Sequence, residues 1–328
     1  MARITVLGDG AWGTALAVHL ARNGQETMLW GHRPARIAEL AAQRENRRYL
    51  PGVRLPQALA VEADLPTAVR GAEYLLVAVP SAAFAATLAA LEPLGEAPLF
   101  WATKGLDPDS GRPLHERAQN LLGTERGLGV LSGPSFAGEV SRGLPTAVTV
   151  AATDPRLAER FARLVHGAHF RAYVSTDLVG VQIGGAAKNV IAIATGIADG
   201  LGFGANARAG LITRGLAEIQ RLGEALGAHP ATLTGLAGLG DLVLTATDDQ
   251  SRNRRFGLAL GRGASVAEAR DAIGAAVEGI TAAGALARLA HELGVEMPIG
   301  EEVRAVIAGE HSPRAAVEAL MTRSMKAE

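Results

Sequence analysis

The sequence predicts an α/β protein with a mainly parallel β-sheet in its N-terminal half and an all-helical region after it. Short, almost continuously apolar segments alternate with amphipathic ones in the first half, and strands of that kind lie in parallel sheets covered by helices on both faces. From about Val181 onward the strand signal fades, and apolar residues recur three and four positions apart. For a chain of 328 residues we therefore expect two domains, 1–180 and 181–328.

The strands of the first domain are predicted at Ile4–Leu7, Thr27–Trp30, Tyr74–Val79, Pro98–Ala102, Gly129–Ser132, Ala147–Ala151 and His169–Val174. Its helices are predicted at Trp12–Arg22, Pro34–Arg44, Ser81–Leu91, Leu114–Leu122 and Pro155–Val165. Helices of the second domain are predicted at Val181–Ala198, Asn206–Leu226, His229–Leu236, Asn253–Gly261, Ser265–Ile273, Val277–Leu293 and Pro298–Ala308, with Gly227, Gly294 and Gly309 as C-terminal stops.

The charge balance and the absence of cysteine exclude several classes of function. Lys and Arg number 32 against 33 for Asp and Glu, so no overall field favours nucleic acid or an anionic membrane. The chain has no cysteine, which excludes disulfides, thiolate metal sites and cysteine nucleophiles, and we expect no metal. Met1 runs within three residues into a strand-like segment, so we expect no signal peptide and a cytoplasmic protein.

The apolar stretch from Leu178 to Ala198 is the one segment that resembles a membrane span. Its midpoint carries Lys188 and Asn189, and a charge at the centre of a bilayer costs several kcal/mol. We therefore expect a buried core helix that carries one functional cation, and no integral membrane segment.

A glycine-rich turn follows the first strand. Gly8, Gly10 and Gly13 have the spacing G-x-G-x-x-G and open a helix. In dinucleotide-binding folds the first glycine allows the tight turn, the second lets the pyrophosphate approach the backbone, and the third lets the helix pack on the strand. The sequence therefore predicts a Rossmann-type site for a nicotinamide dinucleotide.

The end of the second strand indicates which dinucleotide is preferred. NAD-specific folds place an acid there to hold the ribose hydroxyls, whereas this strand is followed by His32 and Arg33. A guanidinium binds phosphate by paired hydrogen bonds, so we expect NADP(H), with NAD(H) tolerated; solvated loop residues are the alternative. Asp9 is unusual beside a pyrophosphate, because its charge repels the ligand unless the side chain points away.

Lys188 is the strongest candidate for a catalytic residue. Burial in an apolar helix favours the neutral amine and lowers its pKa toward the range useful for proton transfer. Asn189 is placed to orient a substrate. Asp241 and Thr245 are four residues apart, on one side if the segment is helical, and an Asp near Lys188 would stabilise the charged form of the lysine.

Three further segments are candidates for ligand contacts. Lys104 lies just past the C-terminal end of a strand, where ligands gather in open α/β sheets, although a surface lysine is the alternative. The turn 133–137 also follows a strand and offers backbone N–H groups and the Ser135 hydroxyl. The cluster 251–255 is rich in donors suited to a phosphate dianion, with a solvated basic turn as the alternative.

Six motifs taken together resemble those of bacterial NAD(P)-dependent glycerol-3-phosphate dehydrogenases. They occur over almost the whole chain: GDGAWGTALA, WATKGL, SGPSFA, GGAAKNVIA, GLGDL and QSRNRRFG. The resemblance implies an N-terminal Rossmann domain, a helical C-terminal domain like that of 6-phosphogluconate dehydrogenase, and interconversion of dihydroxyacetone phosphate with sn-glycerol 3-phosphate for phospholipid synthesis. It also implies a homodimer. The departure from the family pattern is Asp9, where a small residue is usual.

The resemblance also implies roles for individual residues. Lys188 matches the proton acceptor, and we take Lys188, Lys104 and Asp241 as catalytic. The predicted substrate contacts are Lys104, Gly133, Ser135, Lys188, Asn189, Asp241, Thr245, Ser251, Arg252 and Asn253. The predicted cofactor contacts are Gly8, Gly10, Ala11, Trp12, Gly13, His32, Arg33, Lys104, Ala137, Arg252 and Glu278.

Two other functions stay open at this point. A β-hydroxyacid dehydrogenase shares the same plan and a catalytic lysine but binds a carboxylate, so the basic cluster at 251–255 distinguishes the two. A non-catalytic NADPH sensor is the second alternative, and Lys188 argues against it. On the favoured hypothesis, a cleft between the domains holds the nicotinamide and the substrate.

Overall fold

The computed structural model describes residues 1–323, and its first feature is an 8-stranded sheet in the order β3-β2-β1-β4-β5-β6-β7-β8. All neighbouring strands pair in parallel except β6 and β7, which are antiparallel. The predicted mainly parallel sheet is therefore confirmed. The strands are β1 (Arg3–Leu7), β2 (Glu26–Trp30), β3 (Ala60–Glu62), β4 (Tyr74–Val77), β5 (Leu99–Trp101), β6 (Leu128–Ser132), β7 (Thr146–Ala152) and β8 (Phe170–Ser175).

Helices connect these strands. They are α1 (Ala11–Arg22), α2 (Pro34–Gln43), α3 (Leu65–Val69), α4 (Ser81–Leu91), α5 (Leu114–Leu122), α6 (Ala137–Arg142) and α7 (Pro155–Val165), with a 3-10 turn at Glu92–Leu94. In the core, the rings of Phe100 on β5 and Phe161 on α7 stack with centroids 3.8 Å apart. Both rings are fully buried in the core of this part of the chain.

Three elements of this part of the chain escaped the sequence analysis. The edge strand β3 has three residues and none of them is buried, so it lacks the apolar run by which strands are recognised. The short helices α3 and α6 have five and six residues, too few to show a helical period. The antiparallel pairing of β7 was also not predicted, because strand direction depends on the path of the connecting chain.

The second part of the chain is helical throughout its described residues. Its helices are α8 (Leu178–Gly200), α9 (Ala205–Ala225), α10 (Pro230–Leu233), α11 (Asp241–Thr247), α12 (Arg252–Gly261), α13 (Val266–Ile273), α14 (Glu278–Leu293), α15 (Pro298–Ala308) and α16 (Pro313–Met321).

The predicted helix His229–Leu236 is wrong in extent: α10 ends at Leu233, and a π-helical turn follows at Leu236–Gly240. The glycines at 235, 238 and 240 disfavour a regular helix there, and α16 was not predicted.

The chain divides into two compact units. The first comprises Met1–Lys104 and Leu114–Val181, and the second comprises Gly105–Pro113 and the chain from Gln182 onward. Within the second unit, Arg288 donates to the carbonyl of Pro108 (2.9 Å) and Arg112 pairs with Glu292 (2.9 Å). The inclusion of residues 105–113 in the second unit was not predicted, because nothing in the composition of this segment distinguishes it from the residues around it.

Helix α8 has the length and composition of a membrane span, with a mean hydropathy of 1.4. Of its most apolar window, 89% is buried inside the protein. It is a core helix, as predicted.

Candidate active site

The glycine turn lies at the point where the strand order of the sheet reverses. The strands β2 and β4 flank β1 on opposite sides, and open α/β sheets bind ligands in the crevice at such a switch point. Gly8 has a φ of +124°, and a Cβ there would lie 2.8 Å from the carbonyl oxygen of Ala78. A Cβ at Gly13 would lie 1.9 Å from the carbonyl oxygen of Gly8, so only glycine lets α1 approach the strand this closely.

The residues of the turn fit a dinucleotide. A Cβ at Gly10 would meet nothing within 4 Å, so the backbone there is open to a ligand. Gly10 is also the N-cap of α1 and supplies no side-chain cap, which leaves the N–H groups of the first turn available to an anion. Next to them, the buried indole Nε1 of Trp12 has no hydrogen-bond partner within residues 1–323, as expected of a donor that serves a ligand.

The side chain of Asp9 is tied to the protein. Its carboxylate accepts a hydrogen bond from Nε of Arg36 (2.7 Å), a residue of α2. Its backbone carbonyl accepts one from Asn46 (2.8 Å), which also donates to the hydroxyl of Thr14 (2.7 Å). Arg36 and Asn46 support the glycine turn from outside the motif, and no sequence pattern marks them.

His32 and Arg33 follow the carboxyl end of β2 and are both exposed. Nε of Arg33 lies 3.2 Å from Nε2 of His32. These two predicted cofactor residues are therefore adjacent and accessible, in the loop after the strand that pairs with β1.

A second group of predicted residues converges at the ends of β5 and β6. The ammonium of Lys104 donates to the carbonyl of Gly133 (2.9 Å), and the hydroxyl of Ser135 donates to the same carbonyl (2.9 Å). Gly133 has a φ of +140°, a conformation that favours glycine. Ala137 is the first residue of α6, and these four residues thus share one edge of the sheet.

The helical unit brings together Lys188, Asp241 and Thr245. The ammonium of Lys188 on α8 donates to the carboxylate of Asp241 and to the hydroxyl of Thr245 (2.9 Å). Thr245 in turn donates to the carbonyl of Asp241 (2.7 Å), one turn earlier on α11. Lys188 is 5% exposed and Asp241 is 0% exposed. The carboxylate thus compensates the charge of an ammonium group that lies in the interior of the unit.

Asn189 takes part in a separate buried network. Its amide oxygen accepts a hydrogen bond from Asn253 (2.8 Å), whose own oxygen accepts one from the backbone N–H of Gly279 (2.9 Å). Asn189, Asn253 and the start of α14, where Glu278 lies, are thereby joined. All three of these side chains were predicted as site residues, whereas the hydrogen bonds that connect this region were not predicted.

The basic cluster 251–255 is smaller than predicted. Arg254 is buried and paired with Asp199 (2.5 Å) and Asp249, so it serves the structure of the unit. Ser251 caps α12 by accepting a hydrogen bond from the N–H of Arg254 (3.2 Å). Arg252 and Arg255 are exposed, and they are the cations of this cluster that face solvent.

Fold and site together define a class of protein. A glycine turn at the switch point of a parallel sheet is a dinucleotide site, and a buried lysine held by a carboxylate is suited to proton transfer. The combination is that of a dinucleotide-dependent oxidoreductase. Among the residues that the structure describes, no group of three or more His, Asp or Glu side chains is arranged to hold a metal ion.

Comparison with known proteins identifies the family. Residues 3–158 match the family described as NAD-dependent glycerol-3-phosphate dehydrogenase N-terminus, and residues 177–318 match its C-terminus. The chain is 53% identical to glycerol-3-phosphate dehydrogenase [NAD(P)+] of Stenotrophomonas maltophilia (strain R551-3) over 99% of this chain and 96% of that protein. It is 54% identical to the enzyme of the same name from Halorhodospira halophila (strain DSM 244 / SL1), over 99% and 98%.

A solved structure agrees with this assignment. The crystal structure of glycerol-3-phosphate dehydrogenase from Coxiella burnetii superimposes with a TM-score of 0.95 at 45% identity, covering 98% of this chain and 99% of that one. This chain therefore belongs to the NAD-dependent glycerol-3-phosphate dehydrogenase family.

Proposed function

We propose that this chain catalyses the NAD(P)-dependent interconversion of dihydroxyacetone phosphate and sn-glycerol 3-phosphate, and that its product serves glycerophospholipid synthesis. The observation that carries the proposal is the buried contact of Lys188 with Asp241 and Thr245, in a chain that also has an open glycine turn suited to a dinucleotide. Membership of the family and the names of its relatives support the choice of substrate.

Lys188 is the proposed proton donor and acceptor. Reduction of a ketone needs a proton at the carbonyl oxygen, and the ammonium of Lys188, kept charged by Asp241, is able to supply it. In the reverse direction the neutral amine takes the hydroxyl proton. A nicotinamide cofactor, when bound, supplies or accepts the hydride.

The glycine turn is the proposed site of the pyrophosphate, held by Gly8, Gly10 and Gly13 together with the backbone of Ala11 and Trp12. Lys104 and Ala137 at the neighbouring strand ends, and Arg252 and Glu278 of the helical unit, are proposed as further cofactor contacts. His32 and Arg33 support a preference for NADP(H), because both are exposed cations or donors beyond a strand that lacks the acid typical of NAD sites. NAD(H) is expected to bind more weakly.

Arg252 is the proposed anchor of the substrate phosphate. It is the first residue of α12 and is exposed, and the N-terminus of a ten-residue helix favours an anion. Ser251 and Asn253 flank it, and Lys104, Gly133 and Ser135 are proposed to complete the substrate contacts. Anchoring the phosphate orients the reacting carbon, which accounts for roughly 7–11 kcal/mol of a barrier in favourable cases.

The test is a comparison of substrates and of one variant. The parent protein should oxidise NADPH with dihydroxyacetone phosphate and should be far less active with 2- and 3-keto acids. Arg252→Ala should lower both turnover and apparent substrate affinity. Activity with keto acids alone would favour the β-hydroxyacid dehydrogenase, and NADPH binding without turnover of any ketone would favour the sensor.

The cellular location and the oligomeric state of the enzyme are also proposals. We expect a cytoplasmic homodimer. The absence of cysteine and the burial of the long apolar helix α8 fit the location, and the resemblance to the family supports the dimer. Light scattering after gel filtration tests the dimer, and a single species at the mass of one chain would contradict it.

A further inference from the structure

Asp9, the second residue of the glycine turn, has a side-chain partner to which the proposed reaction assigns no role. Asp9 is 4% exposed, and its carboxylate accepts a hydrogen bond from Nε of Arg36 (2.7 Å). The side chain of Arg36 is 15% exposed. A nearly buried carboxylate beside a site for an anion is costly without such a partner, so the two residues belong together.

Arg36 is fixed from a second direction. Its Nη1 donates to the hydroxyl of Tyr49 (3.2 Å), and its guanidinium carbon lies 4.4 Å from the centre of the Tyr49 ring. These contacts and the one with Asp9 occupy one face of the guanidinium, the N–H group of Nε and one of the two N–H groups of Nη1. Within residues 1–323, Nη2 donates to no group of the protein, and it is not among the buried atoms without partners. Nη2 therefore reaches solvent from a side chain that is held in one orientation.

The pair lies where the second strand ends. β1 and β2 are paired with Leu7 opposite Trp30, so the turn after β1 and the loop after β2 lie at the same edge of the sheet. A Cβ at Gly31 would come within 2.7 Å of Cγ of Asp9. Glycine at position 31 thus makes room for the carboxylate directly below the loop that carries His32 and Arg33.

This edge of a Rossmann sheet is the region of the adenosine ribose. A fold that selects NAD places a free acid there, and a fold that selects NADP accommodates the 2′-phosphate with an arginine. In this chain the nearby acid is occupied by Arg36, so it is poorly placed to accept hydrogen bonds from ribose hydroxyls. Nη2 of Arg36 is an open donor at this position, in addition to those of the exposed residues His32 and Arg33.

We propose that Arg36 selects for the phosphate on the adenosine ribose of the cofactor, and that Asp9 is a positioning residue that holds Arg36 for this task. The inference rests on the proposed function, since it assumes that a nicotinamide dinucleotide binds at the glycine turn. A guanidinium already held by Asp9 and Tyr49 loses little rotamer freedom when it binds. Because the pair is neutral overall, selectivity arises from directed hydrogen bonds of Nη2 rather than from added positive charge.

The test measures the dissociation constants of NADPH and NADH by fluorescence titration, without substrate. Arg36→Ala should weaken NADPH binding by about tenfold or more relative to NADH binding, the usual effect of a lost hydrogen bond between charged groups. The Asp9 carboxylate that is left without Arg36 acts on the pyrophosphate of both cofactors alike and cancels in this comparison. Arg48→Ala is the matched control: Arg48 also lies over the Tyr49 ring (5.4 Å), but within residues 1–323 it forms no hydrogen bond or ion pair with Asp9. Arg48→Ala should leave the ratio of the NADPH and NADH dissociation constants unchanged.

A double-mutant cycle tests the role of Asp9. Asp9→Ala should lower NADPH affinity several-fold in the parent and have little effect when Arg36 is already Ala. Asp9→Asn keeps an acceptor for Nε and should stay within about threefold of the parent, which also serves as the second variant if Asp9→Ala is unstable. Thermal unfolding without cofactor checks that each variant is folded.

The outcomes separate this inference from the proposed function. Equal losses for NADPH and NADH in Arg36→Ala would overturn the selectivity role, and full additivity of the two substitutions would overturn the positioning role. A specific loss of NADH affinity in Asp9→Ala would assign the ribose hydroxyls to Asp9 and would also overturn the inference. A parent protein that binds neither dinucleotide would instead refute the proposed function.

Discussion

Lys188 and Asp241 are 53 residues apart in the chain and form an ion pair in the interior of the helical unit. The amine comes from the middle of α8 and the carboxylate from the first residue of α11. Breaking a buried pair from one side leaves a charge without compensation, at a cost of about 3–5 kcal/mol. The pair thus combines a proposed chemical role with a structural one, and experiments must separate the two.

Lys188→Met should lower turnover by about 10²–10⁴-fold, the usual contribution of a general acid or base. It should also lower the free energy of unfolding, because the buried carboxylate of Asp241 loses the ammonium that balances its charge. Adding Asp241→Asn should restore part of the stability but none of the activity. Steady-state reduction of dihydroxyacetone phosphate and denaturant unfolding measure the two effects; recovered activity in the double variant would show that Lys188 acts only through folding.

Gly257→Ala should destabilise the helical unit by about 1–3 kcal/mol or more, the cost of overpacking. A Cβ there would lie 2.1 Å from the carbonyl oxygen of Ile193, because α12 and α8 touch through their backbones. Gly210→Ala on α9 is the matched control: a Cβ there would meet nothing within 4 Å, and it should stabilise the protein by up to about 1 kcal/mol. Thermal unfolding of the two variants measures the change in stability. A similar change at both positions would contradict the close approach of α12 and α8.

Gly10→Ala should leave folding almost unchanged but weaken cofactor binding. A Cβ at Gly10 meets no protein atom within 4 Å, so any loss of affinity must come from contact with the ligand. Gly13→Ala should instead destabilise the protein, because its Cβ would collide with the carbonyl oxygen of Gly8 at 1.9 Å. Unfolding and NADPH titration of both variants check this, and unchanged NADPH affinity in Gly10→Ala would place the pyrophosphate elsewhere.

Glu218 should make stability depend on pH. Desolvation raises its pKa to about 7, although the N–H groups of Ile299 and Gly300 donate to its carboxylate (2.7 and 3.1 Å) and Arg221 and Arg323 act in the opposite direction to burial. The folded state holds a proton that the unfolded state has lost, so this contribution is present below pH 4.5 and is lost as the pH rises through about 7. The shift corresponds to about 3 kcal/mol.

Glu218→Gln should therefore remove this dependence. Denaturant unfolding of both proteins at several values between pH 5 and pH 8 gives the difference between them. The comparison is needed because burial lowers the pKa of His19, which makes stability rise with pH and opposes the effect of Glu218 in the parent. Parallel curves for the two proteins would contradict the prediction.

Much of the fold could be predicted because local patterns determine it. The strand Arg3–Leu7, the glycine turn after it and the helix that follows are all evident from apolar runs and glycine spacing, and the motif around Lys188 pointed to a single charge in a buried helix. The short strand Ala60–Glu62, the helix Pro313–Met321 and the segment 105–113 could not be predicted. They owe their places to contacts with distant parts of the chain rather than to their own periodicity.

The sequence by itself determined the order of most strands and helices, the dinucleotide turn and the residue types available for chemistry, because these depend on neighbours a few positions apart. Only the tertiary structure decided which side chains meet. It paired Lys188 with Asp241, removed Arg254 from the basic cluster by pairing it with Asp199, and tied Asp9 to Arg36. The physical reason is that the partner of a buried charge is set by the packing of whole helices and strands, and no short sequence pattern records that packing.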